Sequence, residues 1–184
     1  TPEAPMWITT KENEEAIMNI LAVESSCDET AVAIVRDGRE VLCDCIASQV
    51  DLHKIYGGVV PEIASRKHIE AIYGLADQAL EKTGLERSDI DAVAVTYAPG
   101  LIGAVLVGVN FAKSLAFANN IPLVGVNHVK AHVAAAYLED TKLEPPFVAL
   151  VVSGGHTSFY NVPNYTDFEE IGSTRDDAAG EAFD

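Results

Sequence analysis

Apolar residues in this chain come first in short runs and only later in longer, helically spaced ones. Ile20–Val23 is a brief apolar run that ends in the polar cluster Glu24-Ser25-Ser26-Cys27-Asp28-Glu29. Thr30–Val35 and Val41–Ser48 read as two further strands, joined by the hairpin signal Asp37-Gly38. The chain thus opens as an antiparallel meander with reactive side chains at its first turn. Asp51–Glu62, with Gly57-Gly58 and Pro61, reads as a loop. From Ser65 to Lys82, Ile69, Ile72, Leu75, Ala76, Ala79 and Leu80 follow a helical period, and Thr83-Gly84 supplies the terminating glycine. Ala92–Thr96 reads as a buried strand. Pro99-Gly100-Leu101-Ile102-Gly103 is a turn feeding a second helix that runs to about Asn119.

Leu123–Val126 is the next strand, and Asn127 is placed to cap a third helix over His128–Leu138. Beyond the break at Pro145-Pro146, Phe147–Val152 and His156–Val162 read as strands around the tight turn Ser153-Gly154-Gly155. Asp176–Asp184 begins a helical pattern on which the sequence stops, as expected of a piece of a larger architecture. The order β-β-β-α-β-α-β-α-β-β predicts an α/β fold, with a mixed sheet and helices on both faces.

Composition narrows the function classes. Of 184 residues, 48% are hydrophobic and 22% charged, which is globular and suits one large domain or two small ones. The balance of 12 basic against 28 acidic residues gives a net charge of −16. Such a chain repels polyanions, so a nucleic-acid substrate requires a partner or a local basic patch. Lys54, Arg66, Lys67 and Lys113 are too few for a convincing groove. Cys27, Cys43 and Cys45 do not make a disulfide framework, and with no secretory signal a reducing cytoplasm is expected. Cys43-x-Cys45 lacks the second pair of a zinc ribbon and reads as buried strand cysteines. The longest apolar stretch, Leu101–Ala118, is interrupted by Gly103, Gly108, Asn110, Lys113 and Ser114, so no membrane span is expected. Residues 1–18 read as an appended or native tail, with Met6 or Met18 as candidate starts.

Four clusters can carry chemistry. His128-x-x-x-His132 puts two imidazoles on one helix face, as two ligands of one metal ion need; the same spacing also fits two surface histidines. Residue 129 is valine, so the base of a His-Glu-x-x-His peptidase is missing. Val152-Ser153-Gly154-Gly155-His156-Thr157 can present backbone N–H groups to an anion, or be a plain hairpin turn. Glu24–Thr30 gathers hydroxyls and carboxylates at a strand-to-strand turn, which also fits a solvated acidic loop. Asp176 and Asp177 suit a helix start, with Asp184 on the same face as Asp177.

In order and spacing, Glu24–Thr30, Gly57-Gly58-Val59-Val60-Pro61-Glu62, Ala64-Ser65-Arg66, Pro99-Gly100-Leu101, Asn127-His128 with His132, Val152–Thr157 and Asp176–Asp184 resemble the TsaD (Gcp) family. The likeness covers residues 19–184. It implies an ASKHA fold, the actin/Hsp70/sugar-kinase architecture of two ribonuclease-H-like lobes. Residues 19–145 would form the first lobe and 146–184 the start of the second. It further implies transfer of a threonylcarbamoyl group from threonylcarbamoyl-AMP to N6 of the adenosine 3′ of the anticodon, in tRNAs reading ANN codons.

By the same likeness His128 and His132 hold one divalent metal ion, iron or else zinc. Val151, Val152, Ser153, Gly154 and Gly155 cradle the adenylate, Asp184 contacts its nucleoside, and Asp28 and Glu29 match acidic residues tied to activity. Val151 and His156, in place of tyrosine and asparagine, suggest the bacterial branch. The implied partners are a TsaB-like paralogue, a TsaE-like ATPase and tRNA, with a homodimer through the first lobe as a further expectation. A third metal ligand is expected beyond this chain, so the chain alone is expected to be inactive. Two other readings are an ASKHA-type ATPase or sugar kinase and a non-catalytic TsaB-like scaffold. Neither requires the His128/His132 pair.

Overall fold

The computed structural model describes residues 17–153, 155–176 and 178–180. Five strands form the first sheet: β1 (Asn19–Glu24), β2 (Glu29–Arg36), β3 (Glu40–Ser48), β4 (Ala92–Ala98) and β5 (Leu123–Asn127), in the order β3-β2-β1-β4-β5. The opening meander is antiparallel, whereas β4 and β5 join β1 in parallel. Asp37 and Gly38 turn the β2–β3 hairpin with φ of 50° and 69°, the paired left-handed conformation that matches strand twist. Register then sets the face: Leu21 stands opposite Ile34 and Val23 opposite Val32, all four buried.

That face is covered by α2 (Pro61–Thr83) and α3 (Ile102–Asn119). Ile72, Leu75, Ala76 and Ala79 of α2 and Ala112 and Ala116 of α3 close the core over Leu21, Val23, Val32, Ile34, Val93 and Val95. The α2 helix begins at Pro61 rather than Ser65, because proline's fixed φ suits the first helical turn. It ends on Gly84 at φ 68°. A short helix, α1 (Val50–Lys54), occupies part of the segment expected to be a loop. The α3 helix is long and apolar enough to cross a membrane, yet Ala104, Val105, Gly108, Ala112 and Ala116 are buried in the core. The opposite sheet face carries Ala22, Ala31, Ala33 and Ala94, bordered by Ala131 and His132 of α4 (His128–Ala134).

The helix expected over His128–Leu138 is broken, with α4 followed by the short α5 (Ala136–Glu139). A second, antiparallel sheet of β6 (Phe147–Val152), β7 (Thr157–Val162) and β8 (Glu169–Ser173) follows. Val129 and Val133 of α4 pack with Val151, Tyr160 and Val162 into a second core. The helical pattern expected from Asp176 is visible at residues 179–180; Asp177 and Asp184 lie outside the described residues.

Two glycines are expected to respond oppositely to alanine. A Cβ on Gly108 would collide with Ser25 Oγ, whereas Gly74, inside α2, faces open space. Gly108→Ala is expected to destabilise by about 1–3 kcal/mol through overpacking. Gly74→Ala is expected to stabilise by about 0.5–1 kcal/mol through the reduced backbone entropy of the unfolded chain. Equilibrium urea unfolding of the two variants checks both signs.

Candidate functional site

The parallel arrangement brings the carboxyl ends of β1, β4 and β5 side by side, where α/β sheets place their ligands. Each end delivers a polar side chain: Glu24 from β1, Thr96 from β4, and His128 immediately after β5. Asn127 starts α4 by accepting hydrogen bonds from the backbone N–H groups of Val129 (3.0 Å) and Lys130 (3.1 Å). Its side chain therefore sets the direction in which both histidines project.

The Nδ1 atom of His128 lies 3.2 Å from Glu24 Oε2 and 3.1 Å from Ser26 Oγ. A carboxylate only accepts, so Nδ1 carries the proton and Nε2 keeps its lone pair. Burial pushes the Glu24 carboxyl up, but hydrogen bonds from Ser26, Thr96 and His128 outweigh it and hold the group below its ordinary value. Glu24 therefore stays ionised. The His128 and His132 rings sit 4.6 Å apart at 81°, with their Nε2 atoms 3.1 Å apart. Burial above all lowers the His132 pKa and favours the neutral, ligating form.

Two nitrogens 3.1 Å apart can each reach a common ion at about 2.0–2.1 Å, subtending about 100°, between the tetrahedral and octahedral angles. The donor pair thus fits one first-row divalent ion. Among the described residues no third histidine, cysteine or carboxylate completes a set.

The histidines open into a cleft of about 420 Å³, lined also by Ser26, Asp28, Glu29, Gly100, Ser153, Gly155 and His156. Asp28, Glu29, His128, His132, Ser153 and Gly155 thus line one cleft. Val151 turns its side chain into the second core, and Val152 and Val151 line the depression beside His132, so any contact of Val151 with a ligand is through its backbone. Ser153 donates its N–H (2.8 Å) and its hydroxyl (3.3 Å) to the His156 carbonyl, and the His156 N–H donates to Ser153 Oγ (3.0 Å), so among the described residues the turn leaves the Gly155 N–H for an anion. Gly154 and Asp184 are outside the described residues. Cys27 also borders the cleft, but burial and the neighbouring Asp28 push its thiol up to about 11, so it is no thiolate nucleophile at neutral pH.

Sequence reasoning gave Glu24, Ser26, Thr96 and His156 no individual role. A carboxylate closing an otherwise apolar strand was the available signal for Glu24. His156, whose ring is 6.4 Å from that of His128, carried none beyond its place after Gly-Gly.

Solved structures that resemble the chain share its fold. YeaZ from Pseudomonas aeruginosa superposes with a TM-score of 0.56 at 19% identity, over 85% of this chain and 65% of that one. The ROK hexokinase from Thermus thermophilus gives 0.52 at 18%, over 84% and 48%. The architecture is therefore the expected ASKHA one. Among curated relatives, the tRNA N6-adenosine threonylcarbamoyltransferases of Clostridium perfringens and Clostridium beijerinckii are 61% and 59% identical over 90% of this chain and 49% of theirs. The chain thus spans about half the length of the curated relatives it matches. Residues 40–184 match the family model described as TsaD: tRNA N6-adenosine threonylcarbamoyltransferase, and the chain belongs to that family.

Proposed function

We propose that this chain supplies half of a tRNA-modifying acyltransferase. The whole enzyme would transfer threonylcarbamoyl from threonylcarbamoyl-AMP to N6 of the adenosine 3′ of the anticodon in tRNAs reading ANN codons. The observation that carries this reading is the pair of convergent imidazoles facing Asp28, Glu29 and the Ser153–His156 turn across one cleft, in a chain of this family. An ATPase or sugar kinase has no use for that pair, so the first reading is favoured.

The residues divide the work. His128 and His132 hold one divalent ion, iron or zinc, with a third ligand from outside the described residues. When bound, the ion supplies an electrophile for the carbamoyl carbonyl or an anchor for the threonyl carboxylate. Glu24 and Ser26 hold the His128 ring. The turn through Ser153, Gly154 and Gly155, with the backbone of Val151 and Val152, cradles the adenylate, and Asp184 contacts its nucleoside. AMP is already a good leaving group, so the protein's main task is to orient a weakly nucleophilic aromatic amine. Asp28 or Glu29 takes the proton that the amine loses.

We assign residues 19–145 to a first lobe and the chain from 146 to the start of a second, a division supported by the presence of one sheet in each. Lys54, Arg66 and Lys67 are each engaged by an acidic neighbour: Asp51, Glu62 and Glu70. Phosphate contacts to tRNA are therefore assigned to partners or to the rest of the enzyme. Ile69 and Tyr73 of α2 and Ile102 and Phe117 of α3 are exposed, Phe117 at 90%, and suit a TsaB-like paralogue or a second copy. A TsaE-like ATPase completes the cytoplasmic assembly.

In the full-length enzyme, His128→Ala and His132→Ala are each expected to cut bound metal at least tenfold by elemental analysis, and single-turnover transfer by about 100-fold or more. Wild-type metal content in both variants would refute the assignment. Glu24→Gln keeps the shape but loses the charge that holds the Nδ1 proton. It is expected to weaken metal affinity about 10–100-fold, measured by competition with a chelator.

A further inference from the structure

Buried polar side chains cluster in one place. Ser25, Ser26, Thr30, Gln49, His53 and His68 are all buried around the turn that joins β1 to β2. Each such group costs free energy unless bonded, so a cluster of them marks a segment held in one geometry against that cost.

Three successive carbonyls of this turn are held from three directions. Ser26 O accepts from Leu101 N–H at the start of α3 (2.8 Å), and Asp28 O from Gln49 N–H beyond β3 (3.0 Å). Between them, Cys27 O lies 3.0 Å from Nε2 of His68, on α2. That ring is 0% exposed, and its Nδ1 lies 2.7 Å from Thr30 Oγ1. A carbonyl only accepts, so Nε2 carries the proton and Nδ1 accepts from the Thr30 hydroxyl. One imidazole thus spans Cys27 and Thr30, the two residues that flank Asp28 and Glu29. The Gln49 anchor is braced in turn: its Oε1 faces His53 Nε2 (3.1 Å), and His53 Nδ1 accepts from Val60 N–H (3.3 Å).

We propose that His68 is a positioning residue for transfer: it sets where the Asp28 and Glu29 carboxylates meet the amine without itself touching substrate. His68 is not among the residues that line the cleft. The inference rests on the transferase reading above and on a role for those carboxylates.

The test uses the full-length enzyme with its partner proteins in single-turnover transfer. His68→Gln keeps an N–H donor at the Nε2 position; His68→Asn reaches only the Nδ1 position and releases Cys27. His68→Asn is expected to lower kcat about tenfold or more at unchanged KM for the adenylate and unchanged metal content, since small displacements of a reacting group are costly. His68→Gln is expected to restore kcat to within about threefold of wild type. Amide exchange at residues 26–30 should quicken in the asparagine variant only. Wild-type kcat in His68→Asn, or equal losses in both variants that track melting temperature, would overturn the inference. Should His68→Asn not fold, Thr30→Val breaks the same span from the strand side, and wild-type kcat there also overturns it. A double variant, Asp28→Asn with Glu29→Gln, separates the two readings. If the wild-type enzyme does not transfer, the transferase reading itself fails; if the double variant transfers normally, that reading stands but the carboxylates have no role and the positioning is overturned. If it is inactive while His68→Asn is normal, only the positioning is wrong.

Discussion

One hydrogen bond organises the site: the contact between the Glu24 carboxylate and Nδ1 of His128. It joins residues far apart in sequence, and it exists because β1 and β5 flank β4 in parallel and end at the same level. The carboxylate can only accept, so the contact sets the ring's tautomer as well as its orientation. With Nδ1 occupied, the Nε2 lone pair points at His132. Thr96 and Ser26 keep Glu24 ionised against its own burial, so the charge is a fixed part of the fold.

The α4 helix works on two sides at once. Val129 and Val133 bury one side against Val151, Tyr160 and Val162, while His128 and His132 present the other to the cleft. Both pairs are spaced by one helical turn. Packing of the second sheet is thereby coupled to the histidines: whatever seats β6 on α4 also brings the Ser153–His156 turn over His128, at 6.4 Å between rings. Opposite, the β1–β2 turn is fastened to α2, α3 and Gln49, so the cleft has two firmly held walls.

Much of this was legible in the sequence, and the remainder was hidden for physical reasons. The strands of the first sheet show as short apolar runs, the trace that burial in a core leaves, with Asp37-Gly38 marking the β2–β3 hairpin. Strand β8 leaves none: its residues are all exposed, so nothing selected an alternating pattern. The break after Ala134 falls in an alanine-rich stretch with no glycine or proline to announce it. His128 and His132 were found because their spacing is local. The partnership of Glu24 with His128 is a product of sheet order, which no local pattern encodes.

The central claim is that His128 and His132 share one ion. X-ray absorption and anomalous diffraction on the full-length enzyme, loaded separately with iron(II) and with zinc, test it directly. The account predicts one ion bonded to both Nε2 atoms at about 2.0–2.2 Å, with Glu24 still on Nδ1 of His128. An ion bound elsewhere, or bound by only one of the two rings, would contradict it.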